Sequence, residues 1–328
     1  MMQVAKLIAD RQRNWTELDR LCNELERRRT KKIPAETITR FSFLYRSACA
    51  DLALAETYQL PSNTVQYLHR LVGRSHNQLY RARSFDYQAW KKILLEDVPQ
   101  RIFRDGCVQT AFIVFWGIFL ASAYLAASGD VWPDYAVDIL GQQQIEGMES
   151  SFAEPIGREN SSMNSMMAGF YVYNNAGIGL KCFAGGLLVI PGLLITIFNA
   201  AYLGAAFGYM ARPDVAAGVN FFHFVTAHGP FELTAIVLSA GAGLRLGLSW
   251  MMTHGLTRID SMRETAKEVM PVMGAALILF LLAALIEGFL SPSAAPYVVK
   301  AAVAIITSAM LMFYFVVLGY PRKTSRAT

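Results

Sequence analysis

The chain has 328 residues, 54% of them apolar and 17% charged, with a formal net charge of +5. Residues 106–129, 182–211, 269–286 and 301–321 carry no charged side chain, and an uncharged apolar run of about 18 or more residues is long enough to cross a bilayer. This excludes an ordinary soluble domain and predicts an all-α, polytopic membrane helix bundle. The first such run begins after position 100, so no cleavable signal peptide is expected.

Charge sets the expected orientation. Residues 1–106 hold 19 Lys and Arg against 12 acids, whereas residues 130–166 hold Arg158 alone against seven acids. By the positive-inside tendency the N-terminal region and the basic tail "PRKTSRAT" are cytoplasmic and the acidic loop lies outside. That predicts contact with anionic headgroups through Arg101, Arg104, Arg322 and Lys323. The basic charge is diluted by acids and does not point to nucleic acid.

In chain order, residues 1–105 read as a helical cytoplasmic domain. Val4, Leu7, Ile8, Arg11, Trp15, Leu18, Leu21, Cys22 and Leu25 recur at helical spacing. A second helix starts near Pro34 and carries Phe41, Leu44, Tyr45, Ala48, Leu52 and Ala55 on one face. A third places Leu68, Leu71, Val72, His76 and Leu79 at helical intervals, and "FDYQAWKKILLEDVPQRIFRDG" suits a helix at the membrane surface. Cys22, Cys49, Cys107 and Cys182 lack metal-like spacing and read as reduced thiols.

The membrane region, 106–320, opens with a span over 107–127 and an acidic outer loop, 128–162, of little periodicity. Residues 162–210 are too long for one span at about 1.5 Å per residue and are expected to be two, turning near Lys181. Further spans are expected at 228–249, 269–290 and 297–319, with an inner amphipathic segment "THGLTRIDSMRETAKE" before the fifth. Six spans put both termini inside. A five-span alternative, with 163–180 as an interfacial helix, would put the tail, 321–328, outside. Small residues recur every four positions at Ala200, Gly204 and Gly208, and at Ala235, Ser239, Gly243 and Gly247. Such rows mark close helix contacts, within one chain or between copies.

"FVTAHGPFELTAIVLSAGAGL", residues 224–244, carries ionisable groups into an apolar run. His228-Gly229-Pro230 predicts a helix break, with Pro230 in the first turn of the helix that follows. Glu232 then falls in that turn too, where free backbone N–H groups and the helix dipole favour a carboxylate. A capping role is one reading. The other joins Glu232 to His228, His223, Glu287, Asn174, Asn175 and Asn199 as a polar intramembrane site, since broken helices at membrane depth line substrate sites in transporters. His223 and His228 are five apart and interrupted by Gly-Pro, unlike the zinc helix signature. No Gly-x-Ser-x-Gly or Walker motif is present, so no catalytic residue, metal or cofactor is expected.

"AHGPFELTAIVLSAGAGLRLG" resembles the His-Gly-x-x-Glu block of the stage II sporulation protein M family. "YNN" at 173–175 and "TIFNAAYLG" at 196–204 resemble its Asn blocks, and "LYRSACADLALAE" and "YLHRLVGRSHNQLY" are similar to the helical region of longer bacterial members. Ala227 and Ala200 depart from the usual proline and glycine. The resemblance implies a non-enzymatic membrane scaffold of an envelope-associated complex. Related chains accompany MoxR-type ATPases and von Willebrand A-like proteins, so a soluble cytoplasmic partner is expected, together with self-association into a homo-oligomer. A permease-like subunit working through Glu232 is the alternative, and an intramembrane metallohydrolase using His223, His228 and Glu232 a third.

Overall fold

The computed structural model describes residues 2–27, 34–79, 91–158 and 160–321, with the side chains of residues 2–10 left aside. Every described element is helical. The chain divides into two compact units, residues 1–86 and 87–328.

The first unit contains α1 (Met2–Arg27), α2 (Ala35–Thr57) and α3 (Ser62–Leu79). Pro34 occupies the N-cap position of α2, as its fixed φ suits. The three predicted stripes meet in one core: Trp15, Leu18, Leu21 and Cys22 from α1, Phe41, Leu44, Ala48 and Ala55 from α2, Leu68 and Leu71 from α3. Leu25, Tyr45, Leu52, Val72 and Leu79 pack around it, and His76 Nδ1 meets the Tyr45 hydroxyl at 3.0 Å. The side chains of Val4, Leu7 and Ile8 lie outside the described residues. Among the described residues two polar side chains enter the core: Asp51, which accepts from the Trp15 indole Nε1 at 2.8 Å, and Ser75, which donates to Leu71 O at 2.7 Å. Burial pushes the Cys22 thiol up from its usual value, so it stays a protonated, unreactive thiol. All four cysteines are free.

The second unit begins with a π-helical turn over Ile93–Asp97 and α4 (Val98–Arg104). Val98 and Ile102 are part of the same core as the membrane helices. The division therefore falls at residue 86, ahead of 105. Residues 85–90 of the expected surface helix, and the basic tail with Arg322 and Lys323, lie outside the described residues.

Among the described residues, five helices are long and apolar enough to cross a membrane. They are α5 (Gly106–Ser128), α9 (Ile190–Met210), α11 (Gly229–Met251), α12 (Arg258–Leu285, continued by a π turn to Leu290) and α13 (Tyr297–Met312, continued by a π turn to Val317). A sixth long helix, α8 (Ser161–Gly186), is less apolar but runs through the same bundle. Phe183 lies against Gly243 and Gly186 against Gly247, so α8 and α11 run parallel. Phe119 against Gly204 and Ala123 against Gly208 likewise make α5 and α9 parallel, and large apolar side chains such as Phe112, Ile113, Phe198 and Ile305 face outward, as lipid contact requires.

Three expectations about this region need correction. The chain does not turn at Lys181. That lysine is an exposed residue inside α8, where its long stem can carry the ammonium toward the bundle end. The turn lies at Leu187–Val189, with Val189 at φ 59°. Nor is the acidic loop without structure. It forms α6 (Tyr135–Leu140) and α7 (Gln142–Ser151), which escape a periodicity reading because each is short. Tyr135, Ala136, Leu140, Ile145 and Met148 bury against Ala205, Ala206 and Met210 of α9 in a second core. Finally, the amphipathic segment is no separate element. Thr257 caps the start of α12, its hydroxyl accepting from Asp260 N at 3.2 Å, and the helix runs on through Pro271.

The small-residue rows are contacts within the chain. A Cβ on Gly204 would stand 2.3 Å from Phe119 O and one on Gly208 2.1 Å from Ala123 O, both on α5. One on Gly243 would stand 2.3 Å from Phe183 O and one on Gly247 2.1 Å from Gly186 O, both on α8. Ala200, Ala235 and Ser239 are fully buried in the same rows.

Candidate polar site within the helix bundle

The break at His228-Gly229-Pro230 is present. A short helix, α10 (Gly218–Val225), ends just before it, and α11 restarts with His228 at the N-cap and Pro230 in the first turn. His228 makes no side-chain cap bond. Glu232 sits in the first turn as expected, yet no hydrogen bond joins its carboxylate to a helix N–H among the described residues. Its Oε2 instead lies 3.7 Å from His228 Nε2. The capping reading is replaced by a side-chain cluster.

The third member comes from another helix. Glu287 sits in the π turn that closes α12, where the wider helical turn re-aims the side chain inward. One oxygen or nitrogen from each of His228, Glu232 and Glu287 falls within a group no more than 4.8 Å across. Asn175 Nδ2 donates to Glu287 Oε2 at 3.1 Å, and Asn174 Nδ2 donates to Asn175 Oδ1 at 2.9 Å. His228, Asn175 and Glu287 are 4%, 4% and 8% exposed, so these groups are removed from lipid and bulk water alike. The three contributing segments are held together by the glycine crossing of α8 with α11 and by Gly288 against Ala168.

Two predicted members lie elsewhere. Asn199 Nδ2 returns to its own helix, donating to Ile195 O at 2.8 Å, which satisfies an amide at membrane depth without a partner helix. The His223 ring stacks on Tyr297 with centroids 4.8 Å apart. The metal set once considered, with His223, is therefore not assembled; Glu287 takes that place.

Four contributors escaped the sequence reading. Ser291 Oγ lies 2.9 Å from His228 Nδ1. Lys300, 3% exposed, donates to Ser291 O at 2.7 Å and to Ser293 O at 3.1 Å, fastening the turn before α13. Arg158 binds the same turn by its backbone, N to Pro292 O at 3.1 Å, and its Nη2 reaches the Tyr171 hydroxyl at 3.3 Å. A lysine one turn inside an apolar helix, straight after "SPSAAP", was the available signal, because such a cation must find acceptors.

At the other end of the bundle Arg245 approaches Asp105 and Glu268, each at 3.9 Å, beside Arg101 and Arg104. Arg245 thus has carboxylate neighbours in a polar cleft.

Comparison with known proteins gives two matches. Residues 110–292 match the family described as Stage II sporulation protein M, and residues 5–81 match a domain of unknown function, DUF8413. No curated protein and no solved structure matches the chain.

Proposed function

The chain belongs to the stage II sporulation protein M family, and on that premise we propose that it is a non-enzymatic subunit of an envelope-associated complex in the bacterial inner membrane. Its membrane helices anchor a helical cytoplasmic domain on which soluble partners dock, and copies of the chain self-associate. The observation that carries this reading is the division into two separately cored units, one of them lipid-facing and the other a three-helix unit that matches a domain family of its own. The partner class follows from the family resemblance: a MoxR-type ATPase or a von Willebrand A-like protein. Purification from native membranes in several detergents should recover a soluble protein with the full chain and lose it when residues 2–86 are removed. Recovery of the chain alone in every detergent removes the docking role.

The buried cluster favours a second role. An ionisable group inside a membrane bundle is costly and is usually kept for work on a substrate or ion, and a broken helix beside it is the arrangement of transporters. In a permease-like subunit, Glu232 contacts a small or lipidic substrate. Glu232→Gln should then cut flux in reconstituted vesicles at least about tenfold, the scale of one lost charged contact, with an unchanged elution profile. Flux equal to wild type removes that role.

A further inference from the structure

We infer that His228, Glu232 and Glu287 form a binding site for one divalent metal ion of the zinc class. The site goes beyond the docking role and stands on the geometry of the cluster alone.

The first ground is convergence. One donor atom from each of the three residues lies within 4.8 Å of the other two. Zinc–nitrogen and zinc–oxygen bonds of about 2.0–2.2 Å put tetrahedral donors on the order of 3.5 Å apart. His228 Nε2 and Glu232 Oε2 already stand 3.7 Å apart, so closure asks only for a small rotation of the glutamate side chains.

The second ground is what the donors lack. His228 is 4% exposed, yet no hydrogen bond among the described residues reaches its Nε2, which lies 3.7 Å from Glu232 Oε2. Glu232 likewise receives no hydrogen bond among the described residues. Two carboxylates brought together out of water repel each other unless a proton or a cation is shared between them, and an imidazole lone pair beside them makes this a place a metal cation can take.

The third ground is the surrounding shell. A ligating imidazole normally fixes its ring through the other nitrogen, and a ligating carboxylate is itself hydrogen-bonded. His228 Nδ1 meets Ser291 Oγ at 2.9 Å, and Lys300 fastens the turn that presents Ser291. In the tautomer that donates from Nδ1, the Nε2 lone pair points at the cluster. Asn175 holds one Glu287 oxygen and leaves the other free. An imidazole with two carboxylates suits zinc and its first-row neighbours better than calcium or magnesium, which prefer all-oxygen shells. Arg158 donates to the Tyr171 hydroxyl, and Lys300 is engaged with backbone carbonyls.

The test uses the full-length protein in lipid nanodiscs without a histidine tag, equilibrated with zinc or with cobalt and freed of excess metal. Wild type should retain about one metal per chain, the expected stoichiometry of a three-ligand site. Bound cobalt should show the intense visible absorption of a four-coordinate ion, and a chelator should lower the thermal transition of the zinc-loaded protein. Glu287→Gln and His228→Gln should each lower metal retention about tenfold or more, while Asn199→Ala, at membrane depth but outside the cluster, keeps it. Where a variant elutes as aggregate, the wild-type cobalt spectrum and chelator shift decide. A spectrum like that of cobalt in water, or metal retained alike by wild type and a well-folded Glu287→Gln, overturns the site.

Discussion

Gly243→Leu leaves almost no folded protein in the membrane, as read by the monodisperse fraction after solubilisation and by its melting profile. The atoms a side chain at 243 would meet are backbone: Phe183 O at 2.3 Å, Phe183 Cα at 2.7 Å and Phe183 C at 2.9 Å. One turn on, a Cβ at Gly247 would meet Gly186 O at 2.1 Å, and one at Gly186 would meet Gly243 C at 2.4 Å. Glycines thus face glycines across the crossing, and no flexible side chain is available to swing aside. Overpacking a filled core costs about 1–3 kcal/mol even where neighbours relax. Here α8 and α11 must separate, so the cost is about 3 kcal/mol or more, a large share of the roughly 5–15 kcal/mol that typically holds a protein folded. Gly274→Leu is the control. It lies inside α12 with no atom within 4 Å of its Cβ position, and leucine there should leave melting unchanged or slightly raised through helix propensity. A wild-type profile for Gly243→Leu sinks the crossing, and with it the account of how Asn175 and Glu232 are brought to one place.

The glycine rows also mark where the sequence was informative. A small residue every fourth position has one strong physical reason in lipid, close backbone approach, so the rows were visible before any coordinates. So was the helix break, because Pro230 can sit only at a helix start or a kink. Five of the bundle's long helices among the described residues followed from apolar length, whereas α8 was signalled only by the length of 162–210. What could not be read was which faces meet. Asn199 and Asn175 look alike as isolated amides in apolar runs, yet one satisfies itself on Ile195 O and the other reaches Glu287, 112 residues away. Glu287 stands at the end of an uncharged run, and its inward aim depends on a π turn that carries no residue signature. The acceptors of Lys300 were hidden for a similar reason: they are backbone carbonyls of a turn, and any sequence supplies those. The loop helices α6 and α7 were missed because 6 and 10 residues hold too few periods to register.

Trp15→Ala should abolish capture of the soluble partner while the chain stays in the membrane at wild-type level. The indole is 5% exposed in the core of the first unit, tilted against Tyr67 at 6.3 Å between centroids. Removing so large a side chain typically costs about 3–5 kcal/mol. The change also takes the donor at 2.8 Å from Asp51, which is 7% exposed and otherwise approached by Arg11 Nε at 3.6 Å. Leaving that carboxylate short of a donor adds about 1–3 kcal/mol. A unit of this size has a small core and correspondingly little stability in reserve, so the sum is enough to unfold it. The membrane bundle is untouched, because the two cores share no residue. Trp15→Phe keeps most of the volume and loses the hydrogen bond, so capture should weaken without vanishing. Arg40→Ala removes an exposed ion pair with Glu17, and exposed pairs are worth about 0–1 kcal/mol; capture should persist. Limited proteolysis in native membranes separates the two ways this can fail. A Trp15→Ala unit as resistant as wild type refutes the packing argument, whereas an unfolded unit that still brings down the partner moves the docking surface out of residues 1–86 and refutes the role proposed for them.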